Sequence, residues 1–252
     1  MRLLVHQLRG EQKLYWRSRE LAFFTFLFPV IIFVLLGSVY GSDKIKSEGG
    51  IKGSAYLLAG VLGYGVAATA FAGLAIVTVI RREQAILKRL RATPLPSSTY
   101  LASSLASTIF VFAVEAVLLI VLAKVLFDVP FPTKIVSLVL ALLLGSITFA
   151  GLGLALTTVI RSAEGSSAVV NAIYLPMAFI AGSFWSVHAY PHFLEVIADV
   201  LPLTYFIRLM RDILLHDQQI WDNWQAVAVL AAWGAFGIVV TLRRFRWEPR
   251  EE

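Results

Sequence analysis

The chain has 252 residues, of which 58 % are hydrophobic and only 15 % are charged, and its formal net charge is +6. Soluble domains carry about a quarter charged residues, so this composition excludes an ordinary soluble protein. The absence of cysteine excludes disulfides, thiol catalysis and cysteine-based metal sites.

Continuous apolar runs dominate the chain, and several reach the ~20 residues that a membrane-spanning helix needs. They are not alternating, so they predict helices rather than the strands of a membrane barrel. The predicted fold class is an all-α polytopic membrane protein with six transmembrane helices. The predicted spans are Leu21–Tyr40, Ser54–Ile80, Thr99–Phe127, Ile135–Ile160, Ser166–Trp185 and Asn223–Leu242.

Residues 1–20 precede the first span and are too polar to cross a bilayer. Arg9, Lys13, Arg17 and Glu20 recur at helical spacing and form one polar stripe. Leucines and aromatic residues supply the remaining surface. These residues therefore predict an N-terminal amphipathic helix that lies in the cytoplasmic membrane interface.

The stretch RREQAILKRLRATPLPSS, residues 81–98, separates the second and third spans. Ile86, Leu87 and Leu90 form a small apolar face at helical spacing, with basic residues around it. The two prolines that follow end this helix, which is predicted over residues 83–92. Such a helix is either a contact site for a cytoplasmic partner or an ordinary basic loop that sets topology.

Residues 186–222 are apolar but interrupted by charges, each of which costs roughly 2.5–3.5 kcal/mol at the centre of a span. They are better explained as two external half-helices within residues 188–216, separated at Pro202. The second half-helix is amphipathic, which is typical of an interfacial or re-entrant element before the last span.

Basic residues set the orientation. With both termini inside, the predicted cytoplasmic segments hold 15 Lys and Arg residues and the external segments hold 6. This excess predicts cytoplasmic N and C termini. The same clusters face lipid headgroups, so the positive charge does not indicate a nucleic-acid partner.

Glu115 is the one carboxylate deep in a predicted span. Intramembrane acids are costly and usually functional, so it is a candidate proton site or contact for a cationic substrate. A structural hydrogen bond between helices is the alternative. On the fifth span, Asn171 and Tyr174 form a polar and aromatic face that is a candidate lining for a translocation path.

The sequence contains no catalytic constellation and no phosphate loop of the GxxxxGK[ST] type. His188 and His192 are four residues apart but lack a clear third ligand, so no metal site is predicted. If the protein uses ATP, another chain must bind it.

Several segments together resemble the membrane subunit of type-2 ABC exporters, along nearly the whole chain. They are the basic N-terminal helix, the loop ILKRLRATPLPSSTYL, the RSAEG turn, and the pair NAIYLPMAFIAGSFWS and PLTYFIRLMR. The last segment matches the family spacing through Pro202, Leu203, Tyr205 and Arg211.

The resemblance implies a half-transporter that moves its substrate out of a prokaryotic cell across the plasma (inner) membrane. Residues 1–20 would be a connecting helix and residues 21–252 the six-span transporter domain. Two copies, or one copy and a related permease, would form the path. Two copies of a separate ATPase would bind ATP and Mg²⁺, so this chain would bind no cofactor and have no catalytic site of its own.

The resemblance also assigns roles to residues. Those expected to couple to the ATPase are Glu83, Ile86, Leu87, Leu90 and Arg91. Those expected along the path, which would be lined by the second and fifth spans, are Asn171, Tyr174, Leu175 and Phe179.

The substrate is expected to be hydrophobic or amphipathic, a drug-like molecule or a lipid, because the first, second and fifth spans are apolar and rich in Phe, Ala and Gly. Two alternatives remain open. One is export of a polysaccharide or teichoic acid, and the other is proton-coupled transport that uses Glu115.

Overall fold

The computed structural model describes residues 2–42, 44–45, 50–93, 95–187, 190–245 and 247–248. Within these ranges the chain is almost entirely helical. The helices are α1 (Arg2–Arg17), α2 (Arg19–Tyr40), α3 (Gly53–Val66), α4 (Leu74–Glu83), α5 (Ile86–Arg91), α6 (Ser97–Phe127), α7 (Ile135–Thr157), α8 (Ala163–Ile180), α9 (His192–Ala198), α10 (Pro202–Leu215) and α11 (Trp224–Arg244). A π-helical segment, Ala67–Gly73, joins α3 to α4 without a break.

A short antiparallel ladder interrupts this helical pattern between α2 and α3. Its strands are β1 (Lys44–Ile45) and β2 (Ile51–Lys52), paired so that Lys44 lies opposite Lys52. Residues 43 and 46–49 of the same loop lie outside the described residues.

Five stretches of the described chain are long and apolar enough to cross a membrane. They are Ala22–Tyr40, Gly53–Glu83, Ser98–Phe127, Ile135–Thr157 and Trp224–Arg244. They confirm the prediction of an all-α polytopic membrane protein. They also match five of the six predicted spans to within a few residues at each end.

The predicted fifth span, Ser166–Trp185, differs from the structure. It corresponds to α8, which begins earlier, at Ala163, and ends at Ile180. Gly182 has φ of +84°, and the Ser183 N–H donates to the Ala178 carbonyl. This glycine-centred cap ends the helix, so the aromatic residues that follow belong to a turn. With 18 residues, α8 spans about 27 Å and is not among the five long apolar helices.

The second span lies at the centre of the molecule and is the most buried of the five. Its first half packs against α2, α6 and α10, and its second half packs against α7 and α8. Glycines of this span let other helices approach it closely. Gly63 faces Ile207 of α10, where a β-carbon would lie 2.4 Å from the isoleucine side chain.

The two half-helices predicted before the last span are α9 and α10, although residues 188 and 189 lie outside the described residues. Pro202 is the first residue of α10, where its missing N–H costs no hydrogen bond. α10 is largely buried, including Arg211, which donates to the Gly182 carbonyl at 2.6 Å and lies 3.7 Å from the Tyr56 ring centre. Burial among other helices fits a re-entrant element rather than an interfacial one.

Candidate functional site

A cavity of about 870 Å³ lies between the N-terminal helices and the second, third and fifth predicted spans. Residues of α1, α2, α3, the π-helical segment, α4, α5, α6 and α8 form its wall. Most of its lining is apolar or aromatic, and includes Leu14, Phe24, Phe28, Pro29, Ala68, Ala72, Ile76, Val77, Ile80, Ile86, Leu90 and Val111. A cavity of this size and lining is suited to a small apolar or amphipathic molecule.

One polar feature of the cavity wall is a pair of tyrosines, Tyr64 and Tyr174. The Tyr64 and Tyr174 hydroxyl oxygens lie 2.7 Å apart and share a hydrogen bond. Their rings lie 5.9 Å apart, and Phe28 and Phe184 also contact Tyr64. The pair is thus a neutral polar group set in an aromatic wall.

Two of the four residues expected along the path line this cavity. Asn171 and Tyr174 belong to its wall, and the Asn171 amide nitrogen lies 3.3 Å from the Ser167 hydroxyl. Leu175 and Phe179 do not belong to it. They lie on the exposed surface of α8, where the Phe179 ring stacks on Trp185.

Glu115 lies behind the cavity wall and has no exposed surface. One carboxylate oxygen accepts a hydrogen bond of 2.9 Å from the Thr69 hydroxyl, and Thr69 itself lines the cavity. The other oxygen lies against Gly65, where a β-carbon would be only 2.3 Å away. The structure therefore contains the helix-to-helix hydrogen bond that was one alternative for Glu115, and a glycine at position 65 makes room for it.

A second polar network lies beside the cavity, near α1. Glu11 of α1 is buried and accepts a hydrogen bond of 2.7 Å from Arg81, at the end of α4. Arg81 also donates to the Tyr100 hydroxyl at 3.3 Å, and the Gln12 amide donates to the Ser107 hydroxyl at 2.9 Å. These bonds attach α1 to α4 and α6, so the predicted amphipathic helix is also part of the cavity wall.

The coupling segment, defined here as residues 83–92, buries its three apolar residues to different extents. Ala85 has φ of 55° and redirects the chain between α4 and α5. Leu87 is 0 % exposed, while Ile86 and Leu90 are half-buried and line the cavity. Leu87 therefore packs against the protein itself, which buries its apolar surface within the chain.

The exposed face of the coupling segment is charged. Glu83 and Arg91 are exposed, as expected of residues that contact a partner, and so are Lys88 and Arg89. Of the five residues predicted to couple to the ATPase, Ile86 and Leu90 lie on the cavity wall, Glu83 and Arg91 lie at the surface, and Leu87 is buried. Their role in coupling stays a prediction.

Sequence reasoning missed several residues of the cavity. Tyr64 and Thr69 were not singled out because a hydroxyl in an apolar span gives no signal until its partner is known. For Glu11 the sequence held a weak signal, because Gln7 precedes it by four residues, a spacing at which helical side chains meet. In the structure the Gln7 amide donates to the Glu11 carboxylate at 3.2 Å. The partner of Glu11, Arg81, is 70 residues away in sequence, which no local pattern reveals.

A family model described as ABC-2 type transporter matches residues 3–215, which takes in α1 through α10 and the whole cavity wall. Comparison with curated proteins gave no match. The family match confirms the resemblance noted in the sequence, and it covers most of the chain. The chain therefore belongs to the ABC-2 type transporter family and is the multi-pass permease subunit of an ABC transporter, whose function implies a partner ATPase.

Proposed function

We propose that this permease exports a hydrophobic or amphipathic molecule, either drug-like or a lipid, from the cytoplasm. The observation that carries the proposal is the cavity of about 870 Å³ with its predominantly apolar and aromatic wall. Burial of apolar surface in such a cavity is favourable by roughly 25 cal/mol per Å².

The polar groups of the cavity support an amphipathic rather than a strongly charged substrate. Glu11 and Arg81 form an ion pair with each other, and the two tyrosine hydroxyls share a hydrogen bond. Burial raises the pKa of Tyr15 to about 12, so its hydroxyl stays protonated at neutral pH. The wall thus offers neutral donors and acceptors and no unpaired charge of its own among these groups.

The export of a polysaccharide or teichoic acid is the alternative. A sugar chain would require polar side chains spaced along an extended path, because each buried hydroxyl needs a hydrogen-bond partner. Apolar and aromatic residues make up most of this wall, and two of its polar pairs, Tyr64 with Tyr174 and Glu11 with Arg81, are bonded within themselves, which favours the apolar substrate.

We further propose that two copies of the permease form the path, together with two copies of the ATPase. The exposed surface of α8 supports this arrangement, since Leu175 and Phe179, one turn apart, form an uncovered apolar face beside the residues of the cavity wall. A second copy packed against that face would bring the two cavities toward a common axis and would give Leu175 and Phe179 a position on the path.

The proposed location is the plasma (inner) membrane of a prokaryote, with both termini in the cytoplasm. The support is the excess of Lys and Arg in the segments that this orientation leaves inside. It puts α1, α5 and the end of α11 on the side where ATP is available.

Reconstitution tests the proposed export. The permease, co-purified with its ATPase subunit, would be placed in liposomes with ethidium as the drug-like probe and a fluorescent short-chain phospholipid as the lipid probe. We expect ATP-dependent movement of at least one probe. Movement of neither probe by an ATP-hydrolysing complex would contradict the proposed substrate class. A proton-coupled transporter would instead work without ATP under a pH gradient and would lose activity in Glu115→Gln.

The exposed charged face of the coupling segment should bind the ATPase. In the triple variant Lys88→Glu, Arg89→Glu and Arg91→Glu, we expect co-purification of the ATPase to fall by about tenfold or more, because like charges now meet across the contact. The ATPase surface should accordingly carry acidic residues. Raised salt should weaken the wild-type complex in the same assay.

The matched control for that experiment is Leu87→Ala. It truncates a fully buried side chain, so it should lower the free energy of unfolding of the permease by about 2–5 kcal/mol. It should not remove any contact at the surface. If Leu87→Ala abolishes ATPase binding in folded protein and the charge reversals do not, the apolar face makes the contact and the proposal is wrong.

A further inference from the structure

Two adjacent residues at the end of α4 reach across to the junction between α7 and α8. Arg82 is only 3 % exposed, although it is an arginine. Its guanidinium donates hydrogen bonds of 2.7 Å to the Thr157 carbonyl and 2.6 Å to the Ile160 carbonyl. Thr157 is the last residue of α7 and Ile160 follows shortly after, so Arg82 satisfies carbonyls that the end of a helix leaves unpaired.

Glu83, the next residue, bonds to the other side of the same junction. Its carboxylate accepts a hydrogen bond from the Ala163 N–H, and Ala163 is the first residue of α8. The Ser162 hydroxyl accepts from the Gly165 N–H at 3.3 Å and caps the same helix locally. The N-terminus of α8 is therefore capped both by the residue that precedes it, Ser162, and by Glu83 of the coupling segment.

The charges of these two residues match the two helix ends that they contact. A cation lies at the C-terminus of α7 and an anion lies at the N-terminus of α8, and each position is the favourable one for the helix dipole. The guanidinium is buried, so loss of its partners would leave a charge without compensation.

This arrangement gives the coupling segment a direct connection to the cavity wall. Only Gln84 and Ala85 separate Glu83 from the first residue of α5. On the other side, α8 carries Asn171 and Tyr174 into the wall. A displacement of α5 therefore acts on α8 through these hydrogen bonds, as well as on α4 through the covalent chain.

We propose that Arg82 and Glu83 are positioning residues that make α8 move together with the coupling segment, so that the ATPase acts on the cavity wall through the α7–α8 junction. This inference rests on the proposed function, in which the ATPase contacts the coupling segment. Neither residue touches the substrate. Their role is to transmit movement between two elements that are about 80 residues apart in sequence.

Spin-label distances test the connection directly. The chain has no cysteine, so Ala92→Cys beside α5 and Ala168→Cys on α8 give a specific labelled pair. Both alanines are exposed. Labelled permease would be mixed with excess unlabelled permease, so that each complex holds at most one labelled copy. We expect a narrow distance distribution that is the same without nucleotide and with a non-hydrolysable ATP analogue.

The variants Arg82→Lys and Glu83→Ala should broaden that distribution. Lysine keeps the charge but cannot bond two carbonyls in the geometry of the planar guanidinium. Transport per ATP hydrolysed should fall by about fivefold in both variants. The ATPase should still co-purify with Arg82→Lys, because Arg82 is buried and lies outside the exposed charged face. Glu83→Gln retains an oxygen that accepts from the Ala163 N–H and should restore the narrow distribution. The control is Arg161→Lys, an exposed arginine in the same junction, which should behave as the wild type.

A narrow distribution and unchanged transport per ATP in both Arg82→Lys and Glu83→Ala would overturn the proposal. A merely structural role would lower stability in these variants without changing the ratio of transport to hydrolysis. If the wild-type complex moves neither transport probe, the proposed function fails, whereas the distances measured in the permease still decide whether the two elements are joined.

Discussion

Replacement of Ala68 by tryptophan is expected to reduce ATP-driven transport by about tenfold or more. A tenfold loss corresponds to roughly 1.4 kcal/mol of substrate binding free energy. Ala68 lies on the π-helical segment and lines the cavity, and it is half-buried. An indole at this position would project into the space of about 870 Å³ near the tyrosine pair. Because it fills open space rather than packed core, the fold should survive the change.

The measurement is ATP-dependent uptake of ethidium by inside-out vesicles that contain the intact complex. Val125→Trp is the matched control, since Val125 is 72 % exposed on α6 and does not line the cavity. Both variants should co-purify with the ATPase as the wild type does. Wild-type transport by Ala68→Trp would mean that the substrate does not pass through this cavity.

The second large effect is expected on folding, in Gly60→Ala. Gly60 of α3 lies against the turn that follows α8, and a β-carbon there would be 1.8 Å from the Ser183 carbonyl oxygen. The contacting atom belongs to the backbone and cannot move aside as the end of a flexible side chain can. The added methyl group must therefore push α3 and this turn apart. Overpacking of this kind costs about 1–3 kcal/mol, and we expect Gly60→Ala to lie at the upper end of that range.

Gly10→Ala provides the control within the same protein. Gly10 lies inside α1, and nothing lies within 4 Å of the position its β-carbon would take. Alanine should therefore stabilise that helix by roughly 0.5–1 kcal/mol. Thermal unfolding of the purified permease in detergent compares the two variants. An equal Tm for Gly60→Ala and Gly10→Ala would contradict the close contact between α3 and the turn.

The contact between α3 and the turn after α8 also bears on transport. The turn is held from a second side by Arg211, which donates to the Gly182 carbonyl. The end of α8 is thus fixed to α3 and α10, while its beginning is fixed to α4 by Glu83. Both ends of the helix that carries Asn171 and Tyr174 are therefore attached to other elements.

The sequence by itself determined the parts of this protein that depend on local composition and length. Five spans follow from continuous apolar runs because hydrocarbon leaves the backbone no partner but itself. Pro202 set the start of α10 because its ring fits the first turn of a helix. The family resemblance in the RATPLP and PLTYFIRLMR segments was likewise readable without coordinates.

Only the tertiary structure decided which surfaces meet. A helical wheel gives Ile86, Leu87 and Leu90 one apolar face, but it cannot tell whether that face turns toward a partner or toward the chain itself, since both bury apolar surface. The pairing of Glu11 with Arg81, of Glu115 with Thr69, and of Arg82 with the end of α7 joins residues between 46 and 78 positions apart. Such bonds depend on how the spans pack side by side, and the apolar composition that fixes each span carries no information about its neighbours.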